Sequence, residues 1–238
     1  MDLRDRLDGI TPEHFWFRGK SDLLDVLLQR SLQASMGGQR ISILSIGAGT
    51  GEDLAIAARY GEVYALDIMQ EALDLIPDGL VKEKSLGSAG DLPYEDGSFD
   101  MVLALDVLEH LEDDKTAVGE IGRVLKDGGH LVCTVPAHPF LFGAHDRGLG
   151  HHRRYTMRAV RNLFADLDIC MAGYWMFFLF PAAFAQRMVQ RKSQSGSKAA
   201  LPGTLNSLLY RVLKLESSLI SRGVRLPTGL SIYCTARK

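Results

Sequence analysis

The chain has 238 residues, enough for one large domain with a substantial core, and a second independent domain is not required. Hydrophobic residues make up 46% and charged residues 24%, with a formal net charge of -2, so nothing in the composition creates a global field that would draw nucleic acid or an anionic membrane. Cys133, Cys170 and Cys234 stand singly, without metal-ligand spacing, and read as reduced, mostly buried thiols of a cytoplasmic protein.

The opening MDLRDRLDGI is charged and lacks the apolar core of a signal peptide. A first helix is expected from Thr11 and Pro12, with Leu23, Leu24, Leu27, Leu28 and Leu32 near a helical repeat and Gly37-Gly38 as its end. Residues 1–38 then form a helical lid or cap. Three consecutive aromatics, Phe15, Trp16 and Phe17, lie beside Arg18 and Lys20 and cannot all face a core from one helix. The segment either covers a ligand, with Arg18 meeting a carboxylate, or anchors the helix on a sheet.

Residues 41–46 form a short apolar run bounded by glycines, the pattern of a buried parallel strand. Alternation follows: helix 52–60, strand 62–66, short helix 70–76, a weak strand 80–84 and strand 100–105. A helix through Leu108, Leu111, Val118 and Ile121 leads to strand 130–135. This spacing predicts an α/β fold, a parallel sheet with helices on both faces. Beyond it, 156–164 reads as a capped helix and 169–180 as a strand with part of a helix. Residues 193–197 read as a flexible polar insertion, 204–222 as an amphipathic helix closed by Gly223, and 230–236 as a last strand. The longest apolar run, 171–185, is broken by Pro181 and is too short to span a bilayer.

The turn after the first strand reads Gly47-Ala48-Gly49-Thr50-Gly51-Glu52-Asp53. Alternating glycines permit positive φ and close approach of a ligand to the backbone at a strand's carboxyl end. A dinucleotide fingerprint would have glycine or alanine where Glu52 stands, and two carboxylates at a helix start would repel a pyrophosphate. They suit a ligand carrying an ammonium and a sulfonium, so S-adenosylmethionine (SAM) is favoured over NAD. Asp67, ending the second strand, is placed to accept hydrogen bonds from two ribose hydroxyls.

Residues 90–111, which begin Gly90-Asp91-Leu92-Pro93 and run through Leu105-Asp106 to Leu111, closely resemble the class I SAM-dependent methyltransferases, and Gly128-Gly129-His130-Leu131 resembles their turn into the fifth strand. The resemblance implies a Rossmann-like, seven-stranded, mostly parallel sheet with an antiparallel last strand. Carried over, it implies that Gly47, Gly49, Gly51, Asp67, Ile68, Asp91, Leu92 and Leu105 hold SAM, with Arg18 added if the first helix is a lid. Asp53 stands where many relatives have other polar residues and receives no role.

Acceptor-side insertions and helices are expected over 137–222. There, His145-Asp146 and His151-His152-Arg153-Arg154-Tyr155-Thr156 resemble a subgroup of these enzymes whose substrates are mostly unassigned. Three readings stay open: Arg153 and Arg154 hold an acceptor while His145, His151 or Tyr155 acts on its proton; His145, Asp146, His151 and His152 bind a metal; or the loop is solvated and Thr156 caps a helix. The working assignment is the first and includes no metal. His110 is read as structural. The aromatic run 175–181, with Arg187, Arg191 and Lys192, roofs an apolar pocket or touches a membrane surface. The expected partner is therefore a small-molecule or lipid-linked acceptor, with peripheral membrane contact as the variant. RNA methylation, prompted by Arg153, Arg154, Arg158 and Arg161, and a non-catalytic SAM-bound scaffold are the alternatives.

Overall fold

The computed structural model describes residues 11–33, 40–189 and 202–238. The expectations for the opening decapeptide, Gly37-Gly38, residues 193–197, Arg191 and Lys192 lie outside these. In chain order the elements are α1 (Phe15–Gln33), β1 (Ile41–Ile46), α2 (Leu54–Ala57), β2 (Gly61–Asp67), α3 (Gln70–Asp74), β3 (Glu83–Leu86) and β4 (Phe99–Leu105). Then come α4 (Asp114–Val124), β5 (Leu125–Pro136), α5 (Ala144–Leu149), α6 (Met157–Leu163), β6 (Asp168–Trp175), α7 (Phe180–Val189), α8 (Gly203–Ser221) and β7 (Ser231–Arg237). Single 3-10 turns at Leu108–His110 and Pro139–Leu141 lead into the two segments that frame the site.

The seven strands lie in the order β3-β2-β1-β4-β5-β7-β6. β7 runs antiparallel to both β5 and β6; the remaining pairs are parallel. Alternation along each strand feeds two cores. From β1, Ile41 and Ile43 join one cluster with Leu23, Leu24, Leu27 and Leu28 of α1, while Leu44 and Ile46 join the other with Ala117, Ile121 and Val124 of α4. β4 divides likewise, with Met101 and Leu103 on the first face and Val102 and Ala104 on the second. That period of two, buried on both sides, explains why the strands read as continuous apolar runs.

Several boundaries differ from the sequence reading. The strand expected at 130–135 begins at Leu125, so Gly128-Gly129 falls inside it, and the helix expected from Thr11 and Pro12 begins at Phe15. The weak strand expected at 80–84 is displaced to Glu83–Leu86, an edge strand with no buried residue, while Leu80 and Val81 pack against the core from the preceding loop. The helix expected over 52–60 contracts to α2, because Arg59 and Tyr60 donate to carbonyls only three residues back. The helix expected through Leu108 and Ile121 is interrupted. Asp113 accepts from the backbone N–H groups of Lys115 and Thr116 and so starts α4 afresh. Of the cysteines, Cys133 and Cys234 are buried but Cys170 is exposed on β6. Among the described residues, no helix is long and apolar enough to cross a membrane.

Candidate active site

The chain runs out from β1 to β2 and β3 on one side and to β4 on the other, so a crevice opens at the carboxyl ends of β1 and β4. The turn after β1 needs its glycines: φ is +61° at Gly47, +53° at Gly49 and +88° at Gly51. A side chain at position 47 would also meet Val107 at 2.5 Å.

Asp67 fastens this turn to β2. The Gly49 N–H donates to its Oδ2 at 2.8 Å, and the Met69 N–H donates to Oδ1 at 3.0 Å. A carboxylate accepts about four hydrogen bonds, so roughly two positions remain for hydroxyls. Ile68, next along, is 72% exposed and offers an apolar surface beside that carboxylate. The turn carrying Asp91 and Leu92 is pinned by α4. The Leu92 N–H donates to Glu120 at 2.8 Å, and Arg123 donates to the Leu92 and Tyr94 carbonyls. Leu92 is buried in the core, and Asp91 is exposed.

The structure adds a group that the sequence reading left without a role. Lys20 of α1 is buried, with its Nζ 2.9 Å from Asp106, 3.3 Å from Asp53 and 3.5 Å from the carbonyl of Leu105. Burial alone would lower the lysine's pKa, but Asp106 and Asp53 outweigh it and hold the pKa above its ordinary value. Asp106, at φ +58°, also accepts from the Thr134 hydroxyl at 3.1 Å. Burial opposes its charge; Lys20 and that hydrogen bond win and hold its pKa below the usual range. One ammonium between two carboxylates leaves this wall of the crevice with a net negative charge. The signal for Lys20 was in the sequence: it falls on the same stripe as Leu23, Leu24, Leu27 and Leu28, where a lysine must be paired.

α1 is thus packed on the sheet by four buried leucines and reaches the site through Lys20. Arg18 stacks on the Tyr210 ring, 3.8 Å from its centroid, and helps line a cleft of about 360 Å³ with Phe17, Asp22 and Glu52.

The 137–155 segment is held together from within. Asp146 is fully buried and accepts from Arg154 Nε at 2.6 Å, with Arg154 Nη2 at 2.6 Å and the Gly143 N–H at 2.9 Å. Burial pushes its pKa up, but His151 and Arg154 outweigh that and hold it well below the usual range. Arg154 Nη1 donates to the Ala137 carbonyl at 3.1 Å, so all three guanidinium nitrogens are engaged internally. Arg153 donates to the Leu111 and Glu112 carbonyls and pairs with Asp114 at 3.2 Å. The buried Tyr155 hydroxyl donates its one proton to Asp114 at 2.8 Å and lies 3.0 Å from the Leu108 carbonyl. Burial and Asp114 push its pKa far up, which keeps the phenol protonated and unsuited to act as a base near neutral pH. The geometry therefore gives Arg153, Arg154 and Tyr155 internal roles in place of the acceptor contacts expected of them. Thr156 accepts from the Ala159 N–H at 3.1 Å and caps α6, as the third reading of this loop has it. His145 is half-buried at the start of α5.

His151 remains close to the crevice. Its Nδ1 lies 3.3 Å from Asp146, and its ring meets that of His110 edge-on at 4.6 Å. Glu109, beside them, is 1% exposed; burial and then Asp106 push its pKa well up. Further out, His138 at φ +64° stacks on Tyr174 and touches Phe140 and Phe180, while Phe140, Phe178 and Phe184 are exposed.

Residues 44–133 match a family described as a methyltransferase domain. A curated relative, the demethylmenaquinone methyltransferase of Lactococcus lactis, is 38% identical over 111 residues, 42% of this chain and 44% of the relative. The chain spans less than half the length of the curated relatives it matches first. A solved structure from Bacillus halodurans, described as that of a methyltransferase by assignment, has a TM-score of 0.57 at 18% identity, covering 89% of this chain and 98% of that one. The cyclase SpnF has a TM-score of 0.58 at 20% identity, covering 90% of this chain and 81% of its own. The likenesses at this identity carry the fold alone, and SpnF bears a different name for its chemistry.

Proposed function

We propose that this chain, which carries a methyltransferase domain over residues 44–133 within the class I SAM-dependent methyltransferase fold, binds SAM in the crevice beyond β1 and β4 and transfers its methyl group. The observation that carries this is Asp67: a strand-end carboxylate tied to the positive-φ glycine turn, with acceptor capacity to spare. The residues fit the cofactor chemically. Gly47, Gly49 and Gly51 allow the backbone to approach, Asp67 takes ribose hydroxyls, and Ile68 lies against an apolar ring. The negative wall of Asp53 and Asp106 around Lys20 suits a cationic donor better than a pyrophosphate.

When bound, SAM supplies an activated methyl group and its own leaving group, so the protein's task is positioning, exclusion of water and, where the acceptor carries a proton, its removal. Of the candidates expected from the sequence, His145 and His151 remain for that last role, and His151 has the better-defined position, oriented by Asp146. The acceptor in this reading is a small or lipid-linked apolar molecule. Its support is the aromatic group around His138, with Phe140, Phe178 and Phe184 exposed, together with the similarity to an enzyme named for demethylmenaquinone. RNA is disfavoured because Arg153 and Arg154, half of the basic cluster that prompted it, are engaged internally.

Isothermal titration of the full chain with SAM and with its demethylated product tests the donor site. Saturable binding of both is expected, and silence for both overturns the reading. Co-sedimentation with anionic and neutral vesicles tests the lipid-linked variant; no binding to either removes it.

A further inference from the structure

Glu109, His110 and His151 bring one carboxylate and two imidazoles together beyond the end of β4, and one donor atom from each lies within 4.8 Å of the others. Glu109 is 1% exposed, and its Oε2 has no hydrogen-bond partner among the described residues. A buried carboxylate oxygen left in that condition is costly, so it points to a ligand. His151 is already oriented. Asp146 sits 3.3 Å from Nδ1, which leaves Nε2 for another partner, and Asp146 is itself fixed by Arg154 and the Gly143 N–H. Metal-ligating histidines are commonly held through their second nitrogen by a carboxylate in this way.

We propose that Glu109, His110 and His151 bind one divalent transition-metal ion of the zinc, cobalt or iron(II) type. Two imidazoles and one carboxylate are the donor set such ions take, and three protein ligands leave coordination positions open. Ligands at about 2.0–2.2 Å from an ion lie about 3–3.5 Å from one another, so donor atoms spaced up to 4.8 Å close by up to about 1.5 Å on binding, within the reach of side-chain rotation. The site differs from the metal reading made from the sequence, in which Asp146 and His152 were ligands. Asp146 is spent on Arg154 and serves the site only through His151, and His152 is exposed. It also revises the working assignment, which had no metal. Three residues beyond Asp106, the ion would hold an oxygen or nitrogen of an acceptor; with its Nε2 on the ion His151 is then a ligand and not the group that takes the acceptor's proton, which leaves His145 for that role. That role rests on the methyl-transfer reading; binding of the ion does not.

The test is calorimetric titration of the untagged full chain, stripped with chelator, with zinc chloride, repeated with cobalt(II) and followed by visible absorption. The expected result is about one equivalent bound, with d–d bands whose intensity marks low coordination number. Glu109→Gln and His151→Ala should each weaken binding at least tenfold. His152→Ala should leave it unchanged. His110→Ala carries the comparison if a Glu109 variant does not fold. No saturable binding by the wild-type chain overturns the proposal, as does unchanged affinity in Glu109→Gln and His151→Ala variants whose circular dichroism matches wild type. Titration of the same preparations with SAM reports on the donor site separately, so either reading can fail alone.

Discussion

The turn around residues 47–69 and the segment 137–155 are both rich in the residue types that chemistry uses, yet they spend them differently. In the first, Asp67 holds two backbone N–H groups and keeps acceptor capacity for a ligand, while Ile68 stays exposed. In the second, Asp146, Arg153, Arg154 and Tyr155 are consumed by one another, by Asp114 and by backbone carbonyls. A buried charge must be matched within the protein, so a dense basic-and-acidic motif is as apt to brace a loop as to bind a substrate. The histidine at the seam, His151, belongs to both: one nitrogen is braced and the other is left for chemistry.

Four measurements would break or sharpen that contrast. Asp146→Ala should have the largest effect, a loss of about 3–5 kcal/mol in urea unfolding, because it strands the buried Arg154 guanidinium. A variant of wild-type stability that had lost only activity would reverse the roles assigned to the two regions. Acid should act through the same group. Asp146 has its pKa lowered in the fold, chiefly against burial by His151 and Arg154, so its stabilisation is present above the ordinary carboxylate range and is lost as pH falls through and below it. The acid limb of a stability–pH curve should therefore flatten in Asp146→Asn.

Next, Asp67→Ala should cost about 1–3 kcal/mol of SAM affinity by calorimetry if its ribose hydrogen bonds are buried. An equal loss of affinity in Arg153→Ala would erase the distinction between a ligand-facing region and a self-braced one. The smallest effect is expected at Thr156. Removing its cap in Thr156→Ala should cost about 1 kcal/mol of stability and leave cofactor binding untouched.

Much of the fold was legible in the chain because it rests on local signals. β1 is bounded as the apolar run 41–46 predicted, Gly47, Gly49 and Gly51 adopt the positive φ their identity allows, and Thr156 caps its helix. The antiparallel last strand, expected from the resemblance, lies between β5 and β6 as β7. The edge strand β3 was misplaced because a strand with no buried residue has no hydrophobic pattern to mark its ends.

The sequence by itself determined the alternation of strands and helices, the glycine turn and the carboxylate that ends β2, since each depends on neighbours a few positions away. Which charged groups remain open to a ligand was decided only in three dimensions. Lys20 finds Asp53 and Asp106 across distances of 33 and 86 positions, and Arg153 finds Asp114 across 39. Pairing of buried charge is a through-space constraint, set by which ends of which elements the sheet brings together, and no local spacing encodes it.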